Sequence, residues 1–222
     1  MSKELWTAVD QYICGQLVPA DPVLDQVLES SAAAGLPPIA VTPNLGKLLY
    51  LLARIQGARK ILEIGTLAGY STIWLARALP PGGRLITLEA DPKHAEISRN
   101  NIAKAGLSQT VEVRLGDALE ALPKLQAENC GPFDLIFVDA EKRDNPDYFV
   151  WSLKLSRPGT ILVFDNVVRD GAVIDSSNTT PSVEGIRRFN ELVAAEPRVT
   201  ATAIQTVGSK GYDGFALALV TN

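Results

Sequence analysis

The sequence predicts an α/β fold built on a parallel sheet, and three observations carry that prediction. Residues Ile61 to Ser71, ILEIGTLAGYS, read as a buried strand (Ile61, Leu62, Ile64), an acid near its end and a glycine turn into a helix. From Arg59 onward, strand-like and helix-like segments alternate, the pattern of strands joined by right-handed helical crossovers. Residues 1–58, by contrast, have helical spacing and no strand alternation.

Each element follows in order. Leu5, Val9, Tyr12, Ile13 and Gln16 set a mostly apolar face at helical spacing. Asp21-Pro22 offers an N-cap with proline at the first helical position, and Gly35 with Pro37-Pro38 ends that helix. Thr42-Pro43 repeats the signal before a stripe of Leu45, Leu48, Leu49, Leu52 and Ile55. These helices pad the sheet, contact a second copy of the chain or form a lid over the site. Strand one is Lys60–Ile64, and its helix covers Thr72–Leu79. Pro80-Pro81-Gly82-Gly83 turns into strand two, Arg84–Glu89. Asp91-Pro92 caps a helix that Gly106-Leu107 closes as a Schellman motif would. Strand three is Val111–Leu115, and a short acidic helix follows Gly116-Asp117. Strand four, Phe133–Val138, and strand five, Thr160–Phe164, flank a helix over Pro146–Ser156. A polar loop leads to a helix capped by Thr180-Pro181, and Val199–Gln205 and Gly214–Val220 close the sheet. With no repeat, low-complexity tract or linker, residues 1–222 read as one domain that includes the helices of 1–58.

Composition removes several function classes. A net charge of −4 gives no basic footprint for nucleic acid. Cys14 and Cys130 are too few for a disulfide framework and suit a reducing compartment, which points to the cytoplasm. No apolar run approaches the roughly 18 residues of a membrane span.

In a parallel α/β sheet the ligand crevice lies at the carboxyl ends of the strands. Gly65 and Gly69 let backbone approach a ligand closely there. Their G-x-x-x-G spacing departs from the G-x-G-x-x-G dinucleotide fingerprint, which disfavours a nucleotide-dependent oxidoreductase. Glu89 ends strand two, where a carboxylate can accept from ribose hydroxyls, and Asp117-Ala118 follow strand three on the same edge. Together they describe an adenosine-containing ligand across strands one to three.

A second constellation is more specific. Strand four ends in VDAEK, with Asp139 and Lys142, and strand five in FDN, with Asp165 and Asn166. The two aspartates lie 26 positions apart, the separation a βαβ crossover needs to bring both to one edge. Two carboxylates and an amide are hard oxygen donors and favour Mg²⁺ or Ca²⁺ over zinc. An Asx turn at Asp165-Asn166 and an ion pair between Lys142 and Asp139 are the purely structural alternatives.

LEIGTLAGYST, the Glu89 strand end, GDA, FVDAEK and DNVVRDG resemble, in order and spacing, the cation-dependent O-methyltransferases of the catechol and caffeoyl-CoA group. The resemblance runs from about Val41 to the C-terminus. It implies a Rossmann-like class I methyltransferase fold, a seven-stranded sheet with its last strand antiparallel, and a homodimer. It also implies S-adenosylmethionine (SAM) as methyl donor and a divalent cation, Mg²⁺ first, with Ca²⁺ or Mn²⁺ as alternatives. Carried over by position, Val41, Glu63, Gly65, Thr66, Ser71, Glu89, Ala118 and Glu141 match positions around the cofactor, with Asp117 beside them. Asp139, Asp165 and Asn166 match the metal ligands, and Lys142 the catalytic base. The expected reaction is methylation of a phenolic hydroxyl on a small vicinal aromatic diol of catechol, flavonoid or hydroxycinnamate type. A caffeoyl-CoA thioester and a non-catalytic cofactor-binding protein are the alternatives; Lys3, Lys47 and Arg54 give a CoA tail only scattered cover.

The family's usual DADK reads DAEK here, Asn145 stands where a tyrosine is common, and Arg169 stands where plant members carry tryptophan. The animal enzyme's acidic substrate contact falls near Val207. Other residues are assigned bland roles. His94 is expected to be a surface imidazole, and Trp6, Trp74 and Trp151 core or interface. Arg187-Arg188 is expected to be a solvated pair, and neither cysteine to be catalytic.

Overall fold

The computed structural model describes residues 2–222. Capping side chains divide the first third into helices α1 (Lys3–Leu17), α2 (Pro22–Ala33) and α3 (Pro43–Gln56). Asp21 accepts from the amides of Val23 and Leu24, and Thr42 from that of Leu45, so both cap-then-proline signals start helices.

The remainder alternates as β1 (Lys60–Ile64), α4 (Tyr70–Ala78), β2 (Arg84–Glu89), α5 (Pro92–Lys104), β3 (Val111–Leu115) and α6 (Ala118–Ala127). Then come β4 (Leu135–Val138), α7 (Asn145–Lys154), β5 (Ile161–Asp165), α8 (Pro181–Ala195), β6 (Val199–Gly208) and β7 (Gly211–Val220). After α5, Gly106 is left-handed and the Leu107 amide reaches back to the Ile102 carbonyl at 3.0 Å, the Schellman closure. At α8 the Thr180 side chain makes no cap; its hydroxyl turns to Asn178 Oδ1 at 2.8 Å.

The seven strands lie in the order β3-β2-β1-β4-β5-β7-β6. The first five are parallel, and β7 runs antiparallel between β5 and β6. Alternation along β1 sends Ile61 to the side covered by α2–α5, and Leu62 and Ile64 to the side covered by α6–α8. Glu63 points with Ile61, so a carboxyl takes an apolar position beneath α4. The β6–β7 hairpin runs longer than its residue pattern suggests, because Gly208, Gly211 and Gly214 continue the ladder instead of ending it.

The tip of that hairpin folds back onto the N-terminal helices. Asp10 of α1 accepts from the Ser209 amide and from Asn44 Nδ2, both at 2.9 Å, and Lys210 Nζ donates to the Ala40 carbonyl. Among the described residues, no helix is long and apolar enough to cross a membrane.

Candidate active site

Two cavities open at the carboxyl edge of the parallel strands. The first, about 550 Å³, lies over β1–β4. Val41, Gly65, Thr66, Ser71, Glu89, Asp117, Ala118, Asp139, Glu141 and Lys142 line it, with Asp117-Ala118 after β3 at one end and Asp139 after β4 at the other. Its shape depends on Gly65: at φ +101°, a Cβ there would sit 2.3 Å from the Asp139 carbonyl oxygen.

Glu89 organises the glycine turn from behind. Its Oε2 accepts from the amides of Thr66 (3.2 Å) and Leu67 (2.7 Å), and its Oε1 from that of Asp91 (3.0 Å). Each oxygen keeps acceptor capacity toward the cavity. Glu89→Ala is therefore expected to weaken SAM binding by about 1.5–3 kcal/mol, the scale of hydrogen bonds to a charged group. Calorimetry on the folded variant checks this, and an unchanged Kd would remove Glu89 from the binding site.

Glu63 does not line the cavity. It is fully buried and accepts from the hydroxyls of Ser71 (2.6 Å), Thr72 (2.5 Å) and Thr87 (2.7 Å), which ties the first turn of α4 to β1 and β2. Burial pushes its carboxyl up to about 7, against the pull of those three hydroxyls. Here it stands behind the cofactor-side wall.

The second cavity, about 600 Å³, lies between the N-terminal helices and the β6–β7 hairpin. Asp165 lines this one alone, Asp139 the first alone, and Val41, Asn166 and Arg169 line both. The three proposed metal ligands thus stand where the two spaces meet. Burial and the neighbouring Asp139 carboxylate raise Asp165, with Lys142 opposing. Lys142 is 7 % exposed, and its Nζ lies 2.7 Å from Asp139 Oδ1.

The donor set suits a hard cation. Asp165 spends only Oδ1, on the Asn166 amide at 2.8 Å. Among the described residues, Oδ2 of Asp139, Oδ2 of Asp165 and the Asn166 side chain have no hydrogen-bond partner in the protein. Two carboxylates with free oxygens and a free amide are donors of the type a hard divalent ion takes.

Several residues depart from their sequence-based roles. His94 is not simply a surface imidazole: it lines the first cavity, its Nδ1 3.7 Å from Glu89 Oε1. Arg187 is not solvated: its guanidinium donates to the carbonyls of Ala172, Val173, Asp175 and Asn178, pinning the loop after the Asp165-Asn166 pair. Arg188 has no such role. Asn145 is 1 % exposed and lines neither cavity. α8 reaches the Lys142 turn at Gly185, where a Cβ would lie 2.4 Å from the Lys142 carbonyl oxygen. A glycine inside an otherwise regular helix was the available signal. Lys210, at the hairpin tip, gave none.

A Rossmann-like sheet in this strand order, with its crevice over the parallel half, defines a class I methyltransferase. A family model described as O-methyltransferase matches residues 16–219, and the chain belongs to that family. Among solved structures, it resembles an O-methyltransferase from Bacillus cereus in complex with SAH. That match has 61% identity and a TM-score of 0.98, covering 99% of this chain and 100% of the other. It also resembles the O-methyltransferase TomG from Streptomyces achromogenes, involved in tomaymycin synthesis and solved with SAM. Here identity is 52% and the TM-score 0.97, with both chains fully covered. A catechol O-methyltransferase from Niastella koreensis is 54% identical over 220 residues, covering 99% of this chain and 100% of that protein.

Proposed function

We propose that the chain transfers a methyl group from SAM to a phenolic oxygen of a small vicinal aromatic diol, with a divalent cation, Mg²⁺ first, at the junction of the two cavities. The observation that carries this reading is that junction, where Asp139, Asp165 and Asn166 converge and Lys142 approaches Asp139. SAM fits the first cavity, between the glycine turn and Glu89; the acceptor fits the second.

A cation held by Asp139, Asp165 and Asn166 would supply Lewis-acid and templating chemistry to the two vicinal oxygens. Lys142 takes the phenolic proton at Nζ. The phenolate oxygen then bonds to the methyl carbon as the carbon–sulfur bond breaks, leaving SAH. Lys142 is shielded from bulk water but ion-paired with Asp139 at 2.7 Å. Only its neutral amine can accept the proton, so the step requires the Asp139 carboxylate to bind the cation and free Nζ. The glycine turn and the hairpin hold donor and acceptor in near-attack geometry, worth up to about 7–11 kcal/mol in well-oriented systems.

A mass-spectrometric screen of catechols, flavonoids and caffeoyl esters for gain of one methyl, with and without EDTA, tests this reading. EDTA should abolish turnover, and added Mg²⁺ should restore it. Full activity in EDTA would remove the metal, and no methyl gain on any diol would remove the substrate class. A CoA thioester has weaker support, because Lys47 Nζ lies over the Tyr50 ring at 4.9 Å, away from the acceptor cavity.

The N-terminal helices belong to the same catalytic domain, since α1 and α3 wall the acceptor cavity through Asp10 and Leu45. Deleting residues 1–20 should lower activity more than the melting temperature; a truncated protein with normal turnover would refute this. The reading further includes a homodimer, which light scattering would test by mass, and a cytoplasmic setting for the two free cysteines.

A further inference from the structure

We propose that the acceptor cavity contains an anion subsite, in which Lys210 and Arg169 receive a carboxylate on the aromatic diol, so that dihydroxy aromatic acids are the preferred acceptors. The proposal rests on the diol reading above and deepens it.

Both cations line the second cavity, and neither forms an ion pair among the described residues. Lys210 spends one of its three N–H donors on the Ala40 carbonyl, which holds the amine at the cavity wall and leaves two donors free. Arg169 sits at φ +56°, a left-handed position directly after the Asn166 turn. Its guanidinium makes no hydrogen bond among the described residues; its backbone amide donates to Asp213 Oδ1 and its carbonyl accepts from the Ala172 amide.

The acids around these cations are mostly committed elsewhere. Asp213 Oδ1 accepts from the amides of Val168, Arg169 and Gly214 at 2.9–3.0 Å. Asp10 holds Asn44 and Ser209, and Asp165 belongs to the proposed metal set. Asp170, the remaining acid of the wall, pairs with neither cation. Both cations are solvent-exposed, and Lys210 feels the Asp139 and Asp165 carboxylates. A metal ion bound to those two acids would neutralise them and leave a neutral catechol with no counter-charge to offer Lys210 or Arg169. A ring bearing a carboxylate away from its diol would give them a charge-assisted partner, and the cavity, about 600 Å³, is far larger than one ring needs.

The test compares kcat/KM for 3,4-dihydroxybenzoate and 3,4-dihydroxycinnamate with that for their amides, in wild type, Lys210→Met, Arg169→Gln and the charge-retaining Lys210→Arg. Wild type should favour the acids by roughly 10- to 100-fold, the scale of hydrogen bonds to a charged group. Lys210→Met and Arg169→Gln should each lose most of that ratio, chiefly through KM, whereas Lys210→Arg should keep it. Calorimetric titration of the acids into protein saturated with SAH gives a readout independent of turnover. A wild type that does not prefer acids, or charge-removing variants that keep the full ratio, would overturn the subsite. If no diol is methylated yet the acids bind and the two charge-removing variants lose that binding, the diol reading fails and the subsite stands. Turnover confined to neutral diols would do the reverse.

Discussion

Lys142→Met should lower turnover on simple catechols by roughly 10²–10⁴, the usual scale for a positioned general base. An unperturbed phenol, taking tyrosine as the guide, ionises near pH 10, so little phenolate exists at neutral pH without a base. The methionine keeps the bulk of a side chain that is 7 % exposed and removes only the amine. Binding of SAM, which does not need that proton acceptor, should change little. The loss should shrink as pH approaches the acceptor's own ionisation, or with a nitrocatechol already ionised at neutral pH. If pre-ionised and un-ionised acceptors suffer equally, Lys142 is a structural partner of Asp139 and not the base.

Gly65→Ala should destabilise the fold and abolish methyl transfer together. The new Cβ would meet the Asp139 carbonyl oxygen at 2.3 Å and its carbon at 2.8 Å, both backbone atoms that cannot rotate away. The residue would also occupy φ +101°, which L side chains rarely adopt. Strain and overpacking of about 1–3 kcal/mol each put the loss at roughly 2–6 kcal/mol, measurable by urea denaturation. Because the displaced strand end carries Asp139, SAM affinity and metal response should fall in whatever protein still folds. A variant with wild-type melting and turnover would show that β1 and β4 do not need this close approach.

The parallel half of the fold was legible because its signals are local. Asp21-Pro22, Thr42-Pro43 and Asp91-Pro92 each start a helix with the cap and the proline in adjacent positions. Gly65 and Asp139 directly follow their strands and Glu89 ends its own, so the three are readable as an edge. The unreadable features depend on partners far along the chain. Arg187 looks like half of a charged surface pair until the loop 172–178 turns four carbonyls toward it. His94 follows an N-cap on an amphipathic helix, and only the fold brings it beside Glu89. The family resemblance places Glu63 on the cofactor side of the wall. Strand alternation sends it instead into the core, where three hydroxyls from two elements meet it.

The clasp between Asp10 and Ser209 joins residues 199 positions apart. Its consequence concerns the order in which the molecule is made. Most of the first cavity is drawn from one stretch, Gly65 to Tyr148, and the longest pairing that holds it, β1 with β4 (Ile61 opposite Leu135), spans 74 positions. The second exists only once the hairpin at 208–211 has returned to α1, a contact whose loop-closure cost falls last. A nascent chain is expected to complete its SAM side before its acceptor side. In the finished protein, the same seam should be the first to exchange its amide hydrogens, with Ser209 ahead of Thr66.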